Sequence, residues 1–370
     1  MTSTARFAYV STYTRGAPGG DSGAKSEGLY VLRVDPGSGA LTVIQSVRSD
    51  NPSFVCLHPS QRTLYCALET DDFEGKKQGG LEAWRIDPDS GMLTLINRTG
   101  SGGHWPCDLK VDPSGRFLVA ANYGGGSYAV APIADDGALG PLSHLHQNLG
   151  TGPNAARQEA AHPHCVEFDP AHRFVATADL GIDRVQIFAL DAAAGRLDLV
   201  SEAAVAPGAG PRHIAFHPDG GVLYVINELN GTITAFRYSD GHVGAEIQTI
   251  DTVAPDFPPP RNTGEIKVHP SGRFLYGSNR KSADHPQADS VVVYAIDPST
   301  GRLALIEHVT GNVVYPRHFN LDPTGAWLYV NNQKGDNIVQ FAVEARSGRL
   351  TETGRIVEVP IPVAMVFRTM

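Results

Sequence analysis

This sequence predicts an all-β chain closed into a ring, on three observations. A two-strand motif returns about every 50 residues, a spacing typical of repeat architectures. A second, turn-broken motif follows each copy, and the two ends of the chain carry complementary halves of the first.

The first motif is a short apolar strand, an HP or DP turn and a second strand ending in a polar residue. It reads PSFVCLHPSQRTLYCAL at 52, PCDLKVDPSGRFLVAAN at 106, PHCVEFDPAHRFVATAD at 163, PRHIAFHPDGGVLYVIN at 211, TGEIKVHPSGRFLYGSN at 263 and PRHFNLDPTGAWLYVNN at 316. Between the copies lie alternating apolar segments broken by a turn, such as YVLRVDPGSGALTVI, AWRIDPDSGMLTLI and VYAIDPSTGRLALI. Short period-2 strands separated by Gly, Asp, Pro and Ser are antiparallel hairpins. Two hairpins make one four-stranded antiparallel blade.

Six complete first motifs face seven second motifs, and the termini account for the difference. RFAYVSTYT at 6–14 aligns with GRFLYGSNR at 272–280, a second strand without its first. The missing first strand is PVAMVF from 362, which matches the PRHFNL and PRHIAF openings. Both termini are therefore expected to build the last blade, leaving the ring no open edge. A solenoid would carry capping repeats instead. The expected fold is a seven-bladed β-propeller, one domain spanning 1–370.

Composition fits this fold and narrows the function. The 370 residues include 40 Gly and 26 Pro, and no long stretch has a period of 3.6. No segment approaches a membrane span, and MTSTARFAYV reads as a strand lead-in rather than a signal segment, so the expected compartment is the cytoplasm. Cys56, Cys66, Cys107 and Cys165 show no ligand spacing and are read as buried free thiols. The net charge of −9 argues against a nucleic-acid surface. An anionic ligand would then need a local cluster of cations.

The blade geometry locates such a cluster, because the first strand of each blade starts, and its antiparallel second strand ends, on one face of the ring. After the opening Pro, or its equivalent, the aligned residues are Ser53, Cys107, His164, Arg212, Gly264, Arg317 and Val363. One step further come Phe54, Asp108, Cys165, His213, Glu265, His318 and Ala364. The second strands end on Thr12, Leu68, Asn122, Asp179, Asn227, Asn279 and Asn332, followed by Tyr13, Glu69, Tyr123, Leu180, Glu228, Arg280 and Gln333. Cations occupy only some of these equivalent sites, which structural repetition does not explain and an anionic ligand would. Asn and Asp at strand ends also commonly satisfy turn backbone. His58, His217 and His269 belong to the HP turns, and Arg116 and Arg273 to the opposite face; all five are read as structural.

Several strings resemble a known group. RQEAAHPHCVEFD at 157–169, DLGIDRV at 179–185, GPRHIAFHPDGGVLYVINEL at 210–229, EIKVHPSGRFLYGSNR at 265–280 and PRHFNLDPTG at 316–325 look like the lactonase family of seven-bladed propellers. That group holds propeller-type 6-phosphogluconolactonases and carboxymuconate-lactonizing enzymes. The resemblance implies a site at the second His of HPH, His164, the Arg of GPRH, Arg212, the Glu of NEL, Glu228, and the Arg of SNR, Arg280. Departures fall in the loops at 14–28, 70–80 and 256–262, where substrate choice would lie.

Opening a lactone takes a base to activate water, stabilisation of an oxyanion and an acid for the leaving alkoxide. His164 and Glu228 are expected to share proton transfer, while Arg212 and Arg280 bind the anion and polarise the carbonyl. Arg317, His318 and His213 would contact phosphate or support the arginines, with Asn122, Tyr123, Asp179 and Asn279 as further substrate contacts. The leading substrate is a small anionic sugar-acid lactone such as 6-phosphogluconolactone, with no cofactor, no metal and a monomeric state. The alternatives are a cycloisomerase forming a lactone from a carboxymuconate-type diacid, and a non-catalytic scaffold with an apolar mouth. In a metal-dependent lactonase, Glu228, Asp179, Asn122 and Asn279 would supply oxygens, but Arg212 and Arg280 would repel the cation.

Overall fold

The computed structural model describes residues 5–15, 25–254, 256–280 and 288–369; residues 16–24 of the expected mouth loop at 14–28 lie outside them. The described residues form 28 strands, β1 (Ala5–Thr12) to β28 (Pro362–Thr369), in seven four-stranded antiparallel sheets, with no helix. Each sheet is one blade.

The inner strands are β4 (Pro52–Leu57), β8 (Pro106–Val111), β12 (Pro163–Phe168), β16 (Pro211–Phe216), β20 (Thr263–Val268), β24 (Pro316–Leu321) and β28. Each packs against the inner strands of the blades on either side, and β28 meets β4, so the ring closes. The closing blade runs β28, β1, β2 (Gly28–Val34) and β3 (Leu41–Arg48), with Ala8 opposite Phe367 and Val10 opposite Met365. Both chain ends therefore lie in one sheet, as the split motif predicts.

The burial pattern explains why the second strands read as continuous apolar runs. β17 (Val222–Asn227) is buried at every residue, whereas the outer strand β15 (Arg196–Ala204) alternates and is mostly exposed. A strand covered on both faces needs apolar residues at consecutive positions. In β17 they divide between two cores. Leu223 and Val225 pack with Ala176 and Ile187 of the preceding blade, while Tyr224 and Ile226 pack with Leu275 and Val292 of the following one.

Polar ties reinforce these contacts on the rim. The hydroxyls of Tyr9, Tyr65, Tyr224, Tyr276 and Tyr329 donate to the carbonyls of Gly91, Gly137, Gly301, Gly348 and Gly39, each in the next blade's outer turn. In the first turn of the six blades other than the closing one, HP and DP differ in reach. His58, His217 and His269 bond Nε2 to Gly115, Gly272 and Gly325 of the neighbouring blade, whereas Asp112, Asp169 and Asp322 accept backbone N–H groups of their own turn. Arg116 and Arg273 lie over Phe117 and Phe274 at 5.6 and 5.0 Å. These HP histidines and turn arginines are structural.

Two measurements check this account of closure. Deleting residues 362–370 strips β1 of its inner partner and should abolish the single cooperative unfolding transition seen by circular dichroism. Tyr276→Phe should lower the urea midpoint by the equivalent of about 1 kcal/mol, the net worth of one buried hydrogen bond, with the transition still cooperative.

Candidate active site

One hydrogen bond, repeated in all seven blades, sets the geometry of the mouth. The N–H at the end of the second strand, from the residue just after it or, for Arg280, its last residue, donates to the carbonyl of the residue just before the inner strand: Glu69 to Asn51, Tyr123 to Trp105, Leu180 to His162, Glu228 to Gly210, Arg280 to Asn262, Gln333 to Tyr315 and Tyr13 to Ile361, at 2.7–3.2 Å. Asn51, Trp105, Gly210, Tyr315 and Ile361 take positive φ there. Every inner strand then carries a β-bulge at its start, spanning Ser53, Cys107, His164, Arg212, Gly264, Arg317 or Val363. A bulge re-aims the extra residue. It is how His164, Arg212 and Arg317 turn toward the axis.

The mouth leads into a cavity of about 410 Å³ lined by residues from three equivalent rings and one loop. The bulges supply His164 and Arg317, and the ends of the second strands supply Glu69, Tyr123, Glu228 and Arg280. Trp105, His162, Asn262 and Tyr315 come from the residue before the inner strand. Ala156, Arg157 and Glu159 come from the connection between β11 (His144–Gln147) and β12.

Glu228 is the centre of charge. Its carboxylate is 3 % exposed; Oε2 lies 3.0 Å from Arg212 Nε and 2.9 Å from Arg280 Nη2, and Oε1 lies 2.7 Å from Arg157 Nη2. Burial alone would raise its pKa, but Arg280, Arg157 and Arg212 outweigh burial and hold it well below the usual carboxylate range. Arg212 donates through Nη1 to Gly264 O and Arg280 through Nε to Thr263 O, so both forks are fixed by backbone. Arg212 does not line the cavity; it lies behind Glu228. Burial, with Arg280 and Arg317 nearby, pulls its pKa down to about 10.

Arg317 stacks 5.1 Å over the Tyr13 ring and lies 3.8 Å from Glu69 Oε2. Glu69 accepts the Tyr13 hydroxyl, and burial pushes its carboxyl up despite Arg317. His164 is buried, and burial, Arg212 and His213 hold its pKa well below the ordinary imidazole value, so the ring is neutral at pH 7. Its Nδ1 lies 3.7 Å from Cys107 Sγ, and its Nε2 makes no hydrogen bond among the described residues. The Cys107–His164 contact is no thiolate pair. Burial pushes the Cys107 thiol well up, and its side chain is outside the cavity lining. All four cysteines are free and buried.

Other expected contacts fall elsewhere. Asn122, Asp179 and Asn279 do not reach the cavity. Successive strand residues point to opposite faces, so when Tyr123 and Arg280 face the axis the residues before them face sideways. Asn122 donates to Ser101 O and Ser127 Oγ, Asn279 to Thr252 O and Ser290 Oγ, and Asp179 accepts from Asn148 and the His162 and Gly181 amides. His213 and His318 form a second buried cluster one residue along the strands from the cavity. Glu265 bridges them, 3.0 Å from His213 Nδ1 and 3.1 Å from His318 Nε2. Burial lowers His213 to about 4 and His318 to about 3.

Beside Glu69, aligned at the mouth without an assigned role, four lining residues are absent from the expected site residues although the repeat marks them, with Asn262 at the end of the loop 256–262 expected to govern substrate choice. Trp105, His162, Asn262 and Tyr315 occupy the aligned position just before the inner strand, a third ring that the same alignment contains. Arg157 has no counterpart in the other blades, so no repeat signal marks it.

Comparison with known proteins places the chain. A family model described as lactonase, seven-bladed β-propeller, matches residues 7–367. The chain is 35 % identical over 362 residues to a 6-phosphogluconolactonase of Bacillus subtilis, covering 97 % of each, and 31 % identical to a 6-phosphogluconolactonase of Formosa agariphila, covering 92 % of this chain and 94 % of that one. It superimposes on the periplasmic gluconolactonase of Pseudomonas aeruginosa with a TM-score of 0.87 at 30 % identity, covering 98 % and 99 % of the two chains. With its ring of seven blades and its match over almost the whole length, the chain belongs to the lactonase family of seven-bladed β-propellers.

Proposed function

We propose that this protein hydrolyses the ester of a sugar-acid lactone, with 6-phosphogluconolactone as its substrate. The observation that carries this is the charge of the cavity. Three guanidinium groups line it, Arg157, Arg280 and Arg317, and a fourth, Arg212, backs Glu228; together they outnumber two buried carboxylates, Glu69 and Glu228, leaving positive charge for an anionic ligand. Guanidinium forks suit phosphate and carboxylate. A protein-binding scaffold would instead present an apolar mouth. The names of the relatives from Bacillus subtilis and Formosa agariphila support the same reading.

The chemistry follows from the free atoms of the site. His164 Nε2 takes a proton from the attacking water as oxygen bonds to the lactone carbonyl carbon. Arg280 and Arg317 stabilise the resulting oxyanion, which a fixed cationic site does without reorganising. The tetrahedral species collapses, the ring C–O bond breaks, and His164 returns its proton to the departing alkoxide. The product acid ionises and releases one proton to solvent. Glu228 holds Arg212 and Arg280 in register throughout.

Hydrolysis followed by proton release, corrected for spontaneous opening, tests this reading. His164→Ala should lower kcat/KM by about 100-fold or more, the usual worth of a general base; wild-type turnover in that variant would refute the assignment.

The neutral state of His164 also sets a pH limit. Because its folded pKa lies below 6.5, kcat/KM should hold as the pH falls through 6.5 and decline only below it. An acid limb centred at or above 6.5 would contradict the role.

Glu228 carries a stability signature with the opposite chemistry. A carboxyl with a depressed folded pKa stabilises the fold fully above its unfolded value of about 4.3, and this is lost as the pH falls through the lower folded value. Glu228→Gln leaves Arg212 and Arg280 buried without a counter-charge and should cost about 3–5 kcal/mol at pH 7. In urea titrations the gap from wild type should narrow below pH of about 4.

A further inference from the structure

Arg157 differs from the other guanidinium groups of the site in exposure, origin and partner. Its side chain is 40 % exposed, against 3 % for Arg212, 6 % for Arg280 and 11 % for Arg317. It comes from the connection between β11 and β12 rather than from a repeated strand. It alone among the described residues binds Glu228 Oε1, whereas Arg212 and Arg280 share Oε2.

The backbone beneath it is held by buried bonds, while the half-exposed side chain is held at its tip. Gln158, fully buried, donates through Nε2 to Leu180 O and Asp183 Oδ1, both at 2.8 Å, and its backbone bonds Asn154 and Gly152. Arg157 itself has only the Glu228 bond at 2.7 Å and a longer one, 3.3 Å, to the Tyr123 hydroxyl, besides its backbone bond to Asn154. Glu159, two residues on, is 58 % exposed and is turned to His162. It does not compete for Arg157.

We propose that Arg157 is an anion-capturing arm: it caps Glu228 Oε1 in this structure, and the phosphate of a sugar-phosphate lactone draws it away, so that one movement binds the phosphate and uncovers Oε1. This rests on the lactone reading of the site. A phosphate dianion is a stronger partner for a guanidinium fork than a single carboxylate oxygen. Once Arg157 leaves, Glu228 keeps Arg212 and Arg280 on Oε2, while Oε1 faces the cavity and accepts a hydrogen bond from the attacking water. Removing one of the three cations also raises the proton affinity of the carboxylate, and the incoming anion does the same for His164. An unphosphorylated lactone has no group to draw the arm, so discrimination enters both binding and turnover.

The test compares 6-phosphogluconolactone with glucono-δ-lactone in wild type, Arg157→Ala and Arg157→Lys. The ratio of kcat/KM between the two lactones should fall by about 10- to 100-fold in Arg157→Ala, the worth of a charge-assisted contact. Arg157→Lys, which keeps the charge and loses the fork, should fall between. An unchanged ratio, including one produced by equal losses on both lactones, overturns the proposal. Calorimetric titration with 6-phosphogluconate and with gluconate decides it independently of turnover: wild type should prefer the phosphorylated acid and Arg157→Ala should lose most of that preference. If wild type opens neither lactone, the functional reading fails by itself. The binding preference then still supports or overturns the role of Arg157.

Discussion

Closure of the ring is the constraint on which the rest of the structure depends. Because β28 pairs with β1 and packs against β4, all seven inner strands lie around one axis, and each blade repeats the same amide-to-carbonyl bond at its mouth. Residues from blades far apart in sequence thus come within hydrogen-bond range. Glu228 meets Arg280 across 52 positions and Arg157 across 71. No blade could hold this cluster alone, since Glu228 and Arg280 end the second strands of two neighbouring blades and Arg157 lies on a connection before a third inner strand.

A cluster of buried charges is costly unless every charge is paired. Glu228 and its three arginines meet that cost by mutual pairing and by two backbone carbonyls, Gly264 and Thr263. The consequence is a quiet resting site. Glu228 is too well paired to take a proton, and His164, buried and near Arg212 and Arg317, is neutral and has a low proton affinity. On the proposed lactone reading, an anionic ligand would raise the proton affinity of both, because its charge offsets Arg212, which lowers each of them.

The bulge at the start of each inner strand converts a repeat into a site. Period-2 alternation would send the residue after the opening Pro and the next one to opposite faces. The extra residue of the bulge lets His164 and Arg317 face the cavity while His213 and His318, one step on, still face inward and bind Glu265. Ordinary alternation holds in the second strands. There Tyr123 and Arg280 enter the cavity while Asn122 and Asn279 turn sideways to the neighbouring strands and loops.

By itself the sequence determined the blade count, the closure by both termini and the rings of positions that converge on the mouth. It could do so because each blade is a local hairpin pair, legible in apolar alternation and turn residues. The departures of His164, Arg212, Glu228 and Arg280 from sevenfold likeness were legible for the same reason. Tertiary structure alone decided which of the converging side chains share the cavity. That depended on strand pleat for Asn122, Asp179 and Asn279, on left-handed backbone before the inner strand for Trp105 and Tyr315, and on packing across blades for Arg212, which stands behind Glu228. It also decided the pairing of Arg157 with Glu228, because Arg157 lies on a connection outside the repeat and reaches the site only through the folded ring.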